Sequence, residues 1–391
     1  MKNLILSSIF IASGILAQAQ TMYLCKDGDY TTKEVTQGLE IDLTQGYDSI
    51  TFTKPQIEPT VTIVYNGSSA TVKKPSFVTG VSSTINGANV VITSDNVTEE
   101  IKYIVSGTSS NGSLTINGSY KLSLELAGLD LTSATGAALD IECGKRINLI
   151  LADGKTNSLS DAASGSQKAC FYCKGHLEVS GAGTLNVSGN KSHAISTKEY
   201  MQMKKTAGTI NIVKAANDAL HVGQYFQMNG GKISITSTTV GDGIQAESTS
   251  DAKDENNGQI IIKGGTLDIT MANQDTKAIK ADTDITISGG SFTINAEGNG
   301  SRGIQTDGNM TIGEEENATS ILINATGGKC TLAECAQDPH NCMGIKVDGN
   351  LTINKGKVSV YNTGKKSKGI KVGGTYTANG GTISAVVEST N

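Results

Sequence analysis

The chain has 391 residues, with 46 Gly, 4 Pro, no Trp and a formal net charge of −5 at pH 7. So mild an acidic balance argues against nucleic acid and against an anionic membrane surface as partners. Scarce aromatics and abundant Gly occur in disordered chains, but the apolar residues here are periodic, which a disordered chain does not need.

The first twenty residues, MKNLILSSIFIASGILAQAQ, carry one Lys, an apolar run and a small-residue exit at Ala17-Gln18-Ala19-Gln20. They read as a signal peptide over 1–20, too short for a retained membrane helix. No lipobox Cys follows directly, and no later segment approaches ~18 consecutive apolar residues. The expectation is a secreted or cell-surface protein with no membrane insertion. Residues 21–58 read as a leader with short β segments. Residues 60–111 read as a small strand-rich cap outside the repeat register, covering a first coil whose edge would otherwise be unpaired.

From 112 to 391 one shape recurs. It reads TKAIKADTDITI at 276–287, SRGIQTDGNMTI at 301–312, CMGIKVDGNLTI at 342–353 and SKGIKVGGTYTA at 367–378. Its apolar residue forms a ladder: Ile195, Leu220, Ile244, Ile279, Ile304, Ile345 and Ile370. Most steps are 24 or 25 residues; the two longer ones, 35 and 41, are one period plus a polar insertion. A second ladder runs in phase, including GTLNV (183–187), GKISI (231–235), GTLDI (265–269), GSFTI (290–294) and GKVSV (356–360). Self-similarity at this period marks a solenoid. Each repeat holds three short alternating segments, such as DALHV, YFQMN and GKISI, which argue strands and not helices. The fold class expected is all-β, a parallel β-helix of about 25 residues per coil, stacked at ~4.8 Å into a rod on the order of 50 Å long. Propeller blades would need longer antiparallel hairpins.

On such a solenoid, chemistry is done by outward columns of stacked side chains. Three residues beyond the ladder stands an acidic column, Glu247, Asp282, Asp307 and Asp348, followed by oxygen-bearing Asp284, Asn309 and Asn350. Carboxylates ~5 Å apart repel, and Ca²⁺, which takes several oxygen ligands, would remove that cost. A solvated edge neutralised by nearby Lys, or plain Asp-Gly and Gly-Asn turn chemistry, would give the same residues. Just after the ladder come Gln245, Lys280, Gln305, Lys346 and Lys371, with Lys277, Arg302 and Lys368 two before it and Gly or Ala between. Long polar heads flanking a line of missing side chains suggest a shallow groove for a polysaccharide, or a Lys-rich solvated face. Tyr200 and Tyr225 would stack outward in adjacent coils, to meet sugar rings or to pack beneath a loop. His193, Asp218 and Asp242 share one column with His221 nearby, the one cluster resembling acid–base equipment, although stacked corner residues explain it as well.

Seven Cys (Cys25, Cys143, Cys170, Cys173, Cys330, Cys335 and Cys342) suggest disulfides with one thiol left over if the chain is exported. Their spacing matches no standard four-ligand zinc site.

The stretch KLSLELAGLDLTSATGAALDIECGKRINLILADGKTNSLSDA (121–162), followed by DGIQAE, KAIKAD and GIKVDG, resembles the secreted bacterial carbohydrate-binding β-helix family. The resemblance covers roughly 110–391. It implies a right-handed parallel β-helix similar to pectate-lyase folds that binds β-glucan or polygalacturonate-type chains, with bound calcium and no established catalysis. Glu247, Asp282, Asp307 and Asp348 match the family's acidic turns; the coils holding Lys198, Gly223 and Gly373 depart from them. The expected function is calcium-dependent polysaccharide binding, with a lyase using a Lys base, or an adhesive surface protein, as the alternatives.

Overall fold

A computed structural model describes residues 20–387, apart from 37, 38, 40, 42, 237 and 315–317. The signal-peptide reading therefore lies outside the described residues but for Gln20. The regular elements of the described chain are β-strands, apart from two 3-10 turns at Leu43–Gln45 and Glu334–Ala336. Among the described residues no helix is long and apolar enough to cross a membrane.

One coil shows the plan. Lys277–Ala281 lies on a first face, Ile285–Ile287 on a second and Gly290–Ala296 on a third. Each pairs in parallel with its counterpart in the next coil: Arg302–Thr306, Met310–Ile312 and Thr319–Ala325. First-face strands form a 12-stranded sheet, and the other two faces join into one larger sheet. The whole is a β-solenoid of about 12 turns, each about 25 residues.

The apolar ladder is the spine of the first face. Ile195, Leu220, Ile244, Ile279, Ile304, Ile345 and Ile370 pair in unbroken succession. Ile244, Ile279, Ile304 and Ile345 are fully buried. Burying an Ile side chain stabilises by about 1.5–3 kcal/mol, so each coil gains most of its stability from being stacked. The glycines that open the second ladder have a backbone reason. Gly265, Gly290 and Gly356 turn from the second face to the third at φ of 101°, 107° and 103°, a region L side chains rarely enter.

The small residues before the ladder do not line a surface groove. Ala219 and Ala278 are fully buried, as are the Ile and Leu that follow them. A Cβ on Gly344 would lie 2.2 Å from Val360 Cγ1 and 2.6 Å from the Gly369 oxygen. Two successive residues point inward where the first face bends, so strict alternation fails there and the expected line of missing side chains faces the core.

Parallel stacking reaches back before residue 112. Thr60–Asn66 pairs in parallel with Ile101–Ser109, and Ala88–Ser94 with Gly112–Gly118. The segment 60–111 is thus part of the solenoid. Two antiparallel hairpins within it, Thr60–Asn66 with Ser69–Lys73 and Val81–Asn86 with Ala88–Ser94, occupy the first edge. Thr21–Lys26, Asp29–Glu34 and Ser49–Thr51 form a separate antiparallel sheet. It docks through a hydrogen bond from Ser76 N–H to Asp29 Oδ2 (2.7 Å) and through Tyr30 stacked on Phe77.

One disulfide joins Cys330 to Cys335, while Cys25, Cys143, Cys170, Cys173 and Cys342 are free thiols. The pairing expected of an exported chain is therefore limited to one bridge. Cys170 and Cys173 occupy one extended strand, Ala169–Cys173, where three residues span ~10 Å, beyond disulfide reach.

Candidate functional site

The polar side chains of the first face converge on a cleft of about 660 Å³. Its floor comes from strands His193–Thr197, Leu220–Gly223 and Ile244–Glu247. They carry His193, His221, Gln245 and Glu247 into it, with Asp218 and Asp242 just ahead of their strands. Thr239–Gly241 line it on one side, and Leu332 and Glu334 from the disulfide loop complete the lining.

That loop is held down by residues a coil or more away. Thr331 donates through its N–H and its hydroxyl to Gln274 Oε1, at 2.9 and 2.8 Å. His340 Nε2 lies 2.9 Å from Asp275 Oδ1, an oxygen that Lys277 Nζ also approaches at 3.1 Å and Arg302 Nη1 at 3.8 Å. Burial raises the Asp275 carboxyl, but Lys277 and His340 outweigh it and hold it below the usual range.

The floor is built around Asp218. Its Oδ2 lies 2.9 Å from His221 Nδ1 and 3.1 Å from His193 Nδ1, and the two imidazole rings stack at 4.2 Å. The His221 contact is a hydrogen bond, whereas the buried His193 Nδ1 meets Asp218 as an ion-pair contact without hydrogen-bond geometry. Asp218 Oδ1 accepts the N–H of Asp242 at 2.7 Å, and Asp242 Oδ1 accepts the N–H of Lys277 at 2.8 Å. The two carboxyls titrate apart. Burial pushes Asp218 up, but its contacts with His193, His221 and the Asp242 amide hold it well below the usual range. Burial pushes Asp242 up to about 6, opposed by Lys277 and reinforced by Asp218.

Of the remaining candidate residues, two line the cleft and the rest lie outside it. Gln245 and Glu247 line it, joined by a 2.9 Å hydrogen bond from Gln245 Nε2 to Glu247 Oε1. Lys280 Nζ stands 4.0 Å from Asp242. Gln305 is buried and accepts from Arg302 Nη1; Lys346 pairs with Asp348 at 2.6 Å; Lys371 is exposed further along the same column. Tyr200 and Tyr225 stack at 4.8 Å on the second face, with His176 against Tyr200 at 4.5 Å, around the corner from the cleft. The Tyr200 hydroxyl donates to Glu178 Oε1.

At the acidic corner the coils stack as expected: the Asp307 and Asp348 amides donate to Ala281 and Thr306 of the preceding coil. Asp284 Oδ1 accepts the N–H of Asn309 (2.7 Å), Asn309 Oδ1 that of Asn350 (3.0 Å) and Asn350 Oδ1 that of Thr375 (2.8 Å). These oxygens form a ladder that ties coil to coil. Among the described residues, His, Cys, Asp or Glu ligand atoms converge within 4.8 Å in two triads, Cys330–Cys335–His340 and His193–Asp218–His221. The corner carboxylates form no such group; Asp282 Oδ2 accepts the Ser248 N–H and Asp348 Oδ2 pairs with Lys346. Sequence reasoning missed Asp275, Asn217, Lys168 and the loop residues of the wall, because nothing local to them repeats.

A family model described as carbohydrate-binding domain-containing protein matches residues 86–389. The chain belongs to this family. A curated carbohydrate-binding domain-containing protein of Acetivibrio thermocellus is 27% identical over 138 residues, which is 33% of this chain and 48% of the relative. The match spans about half the length of that relative. Among solved structures, the polysaccharide lyase-like protein from C. thermocellum, as a gadolinium derivative, has 25% identity and a TM-score of 0.55. It covers 66% of this chain and 99% of its own.

Proposed function

We propose that this carbohydrate-binding domain protein holds a polysaccharide chain in the first-face cleft, without turning it over. The observation that carries the reading is the cleft itself, a polar volume of about 660 Å³ against the 300–1,000 Å³ usual for ligand sites. Its lining also argues the glycan class. Asp218, Asp242, Glu247, Asp275 and Glu334 face it against Lys168 and Lys277. An acid-rich surface repels a uronate chain and accepts hydrogen bonds from neutral hydroxyls, so a β-glucan-type chain fits better than polygalacturonate. An acidic chain would need a cation between it and the cleft.

Calcium is proposed at the outer carboxylates of Asp282 and Asp307, with Asp348 shared with Lys346. Asp284, Asn309 and Asn350 each commit a side-chain oxygen to a backbone amide, and Asp282 likewise gives Oδ2 to the Ser248 N–H, so Asp307 is the least committed ligand of the set. A lyase is the second reading, favoured by Lys280 beside the raised carboxyl of Asp242.

The test is calorimetric binding of β-glucan and of polygalacturonate oligosaccharides to wild type and to Gln245→Ala with Glu247→Ala. Binding of β-glucan that the double variant loses about tenfold supports the reading. Equal binding by both proteins places the glycan elsewhere, and release of an unsaturated uronide from polygalacturonate overturns the non-catalytic part.

A further inference from the structure

We propose that His193, Asp218 and His221 form a site for a divalent first-row transition metal of the zinc class, set in the floor of the cleft. The two Nδ1 atoms approach the same oxygen, Asp218 Oδ2, at 3.1 and 2.9 Å, and the three ligand atoms lie within 4.8 Å of one another. An ion at their centre would take two imidazole nitrogens and one carboxylate oxygen.

Three further observations point to a cation. First, His193 is 6% exposed and its Nδ1 meets the anionic Asp218 Oδ2 at 3.1 Å without hydrogen-bond geometry. A poorly directed contact leaves a buried nitrogen under-satisfied, and a metal between nitrogen and oxygen would serve both. Second, the outer supports of a metal site are in place. Glu247 Oε2 lies 3.5 Å from His221 Nε2, positioned to keep the proton there and leave Nδ1 as the lone-pair donor. Asp218 Oδ1 is fixed by the Asp242 amide, which aims Oδ2 at the rings. Third, the donors suit a borderline metal and not calcium, which takes oxygen ligands throughout. All three residues line the cleft, so water or a sugar oxygen there would be at hand to complete the coordination. The other triad is no rival, because its two sulfurs are joined in the Cys330–Cys335 bridge.

The experiment needs no glycan, so its failure is distinguishable from failure of the binding reading. Full-length protein is stripped with EDTA and titrated with Zn²⁺ by calorimetry and with Co²⁺ by visible absorption. The expected result is one metal per chain, with cobalt bands lacking the thiolate charge-transfer signature. His193→Ala and His221→Ala should each weaken Zn²⁺ at least about tenfold, and Glu247→Gln about 10–100-fold as an outer support. Circular dichroism of the stripped variants checks that they fold; the wild-type cobalt spectrum stands even where one does not. A thiolate band, or Zn²⁺ binding by wild type no tighter than by the His193→Ala, His221→Ala double variant, would overturn the site.

Discussion

Asp275 and His340, 65 residues apart in sequence, meet through a 2.9 Å contact between Oδ1 and Nε2. Through it the disulfide loop becomes a wall of the cleft, and the loop's order depends on one carboxylate that Lys277 and Arg302 also approach. Asp275→Ala should release the loop while leaving the stacked core intact. Hydrogen exchange across 329–341 is the measurement, with an acceleration of about tenfold expected. Unchanged exchange would mean that the Thr331–Gln274 contacts hold the loop by themselves.

Asp242 provides a pH test. Its carboxyl titrates at about 6 in the folded chain and near 3.9 in the unfolded one. A raised folded value means that its stabilising protonation is complete below about pH 4 and is lost as pH rises through about 6. The loss approaches ~3 kcal/mol as an upper figure. Asp218, held low, behaves oppositely and contributes stability that disappears only in stronger acid. Asp242→Asn keeps an oxygen for the Lys277 amide. Urea unfolding should find the variant more stable than wild type at pH 8 and its profile flatter between about pH 4.5 and 7.

Gly344 is a packing requirement, as its missing side chain would meet Val360 Cγ1 and the Gly369 oxygen. Gly344→Ala should cost about 1–3 kcal/mol, the range for overpacking a core. A thermal melt should drop by several degrees.

The acidic corner separates metal from ladder. In an EGTA-against-Ca²⁺ melt, calcium at 100 times its Kd would add about 2.7 kcal/mol, and Asp307→Ala should blunt the rise. Asn309→Ala should instead lower both melts alike, by about 1 kcal/mol, because it removes the acceptor of the Asn350 amide. A melt indifferent to Ca²⁺ would leave the carboxylates as a solvated edge.

Tyr200 and Tyr225 are stacked but stand outside the cleft. Tyr225→Ala should therefore leave β-glucan affinity within about twofold. A larger loss would extend the glycan path around the corner onto the second face.

The ladder Ile195 to Ile370 and its coil were legible because a solenoid repeats its core at fixed intervals, so seven apolar residues report one position in space. The acidic corner was legible for the same reason. The groove was misplaced because alternation breaks where Ala278 and Ile279 both turn inward, a bend no sequence period records. The column His193–Asp218–Asp242 could be read, but the cleft around it could not. Part of its lining arrives from Leu332 and Glu334, in an insertion that breaks the repeat, and Asp275, which holds that insertion, sits in a turn that looks like any other.

Ile304 and Ile345 pair directly across neighbouring coils although 41 residues separate them. Hydrogen bonding between coils is indifferent to how far the chain wanders before it returns, and lengthening such a detour costs little entropy. A loop can therefore be exchanged at this junction without asking the rest of the molecule to refold. If the cleft holds the glycan as proposed, grafting would rewrite recognition: the scaffold keeps its register while a transplanted 326–341 segment brings a different wall, and with it a different guest.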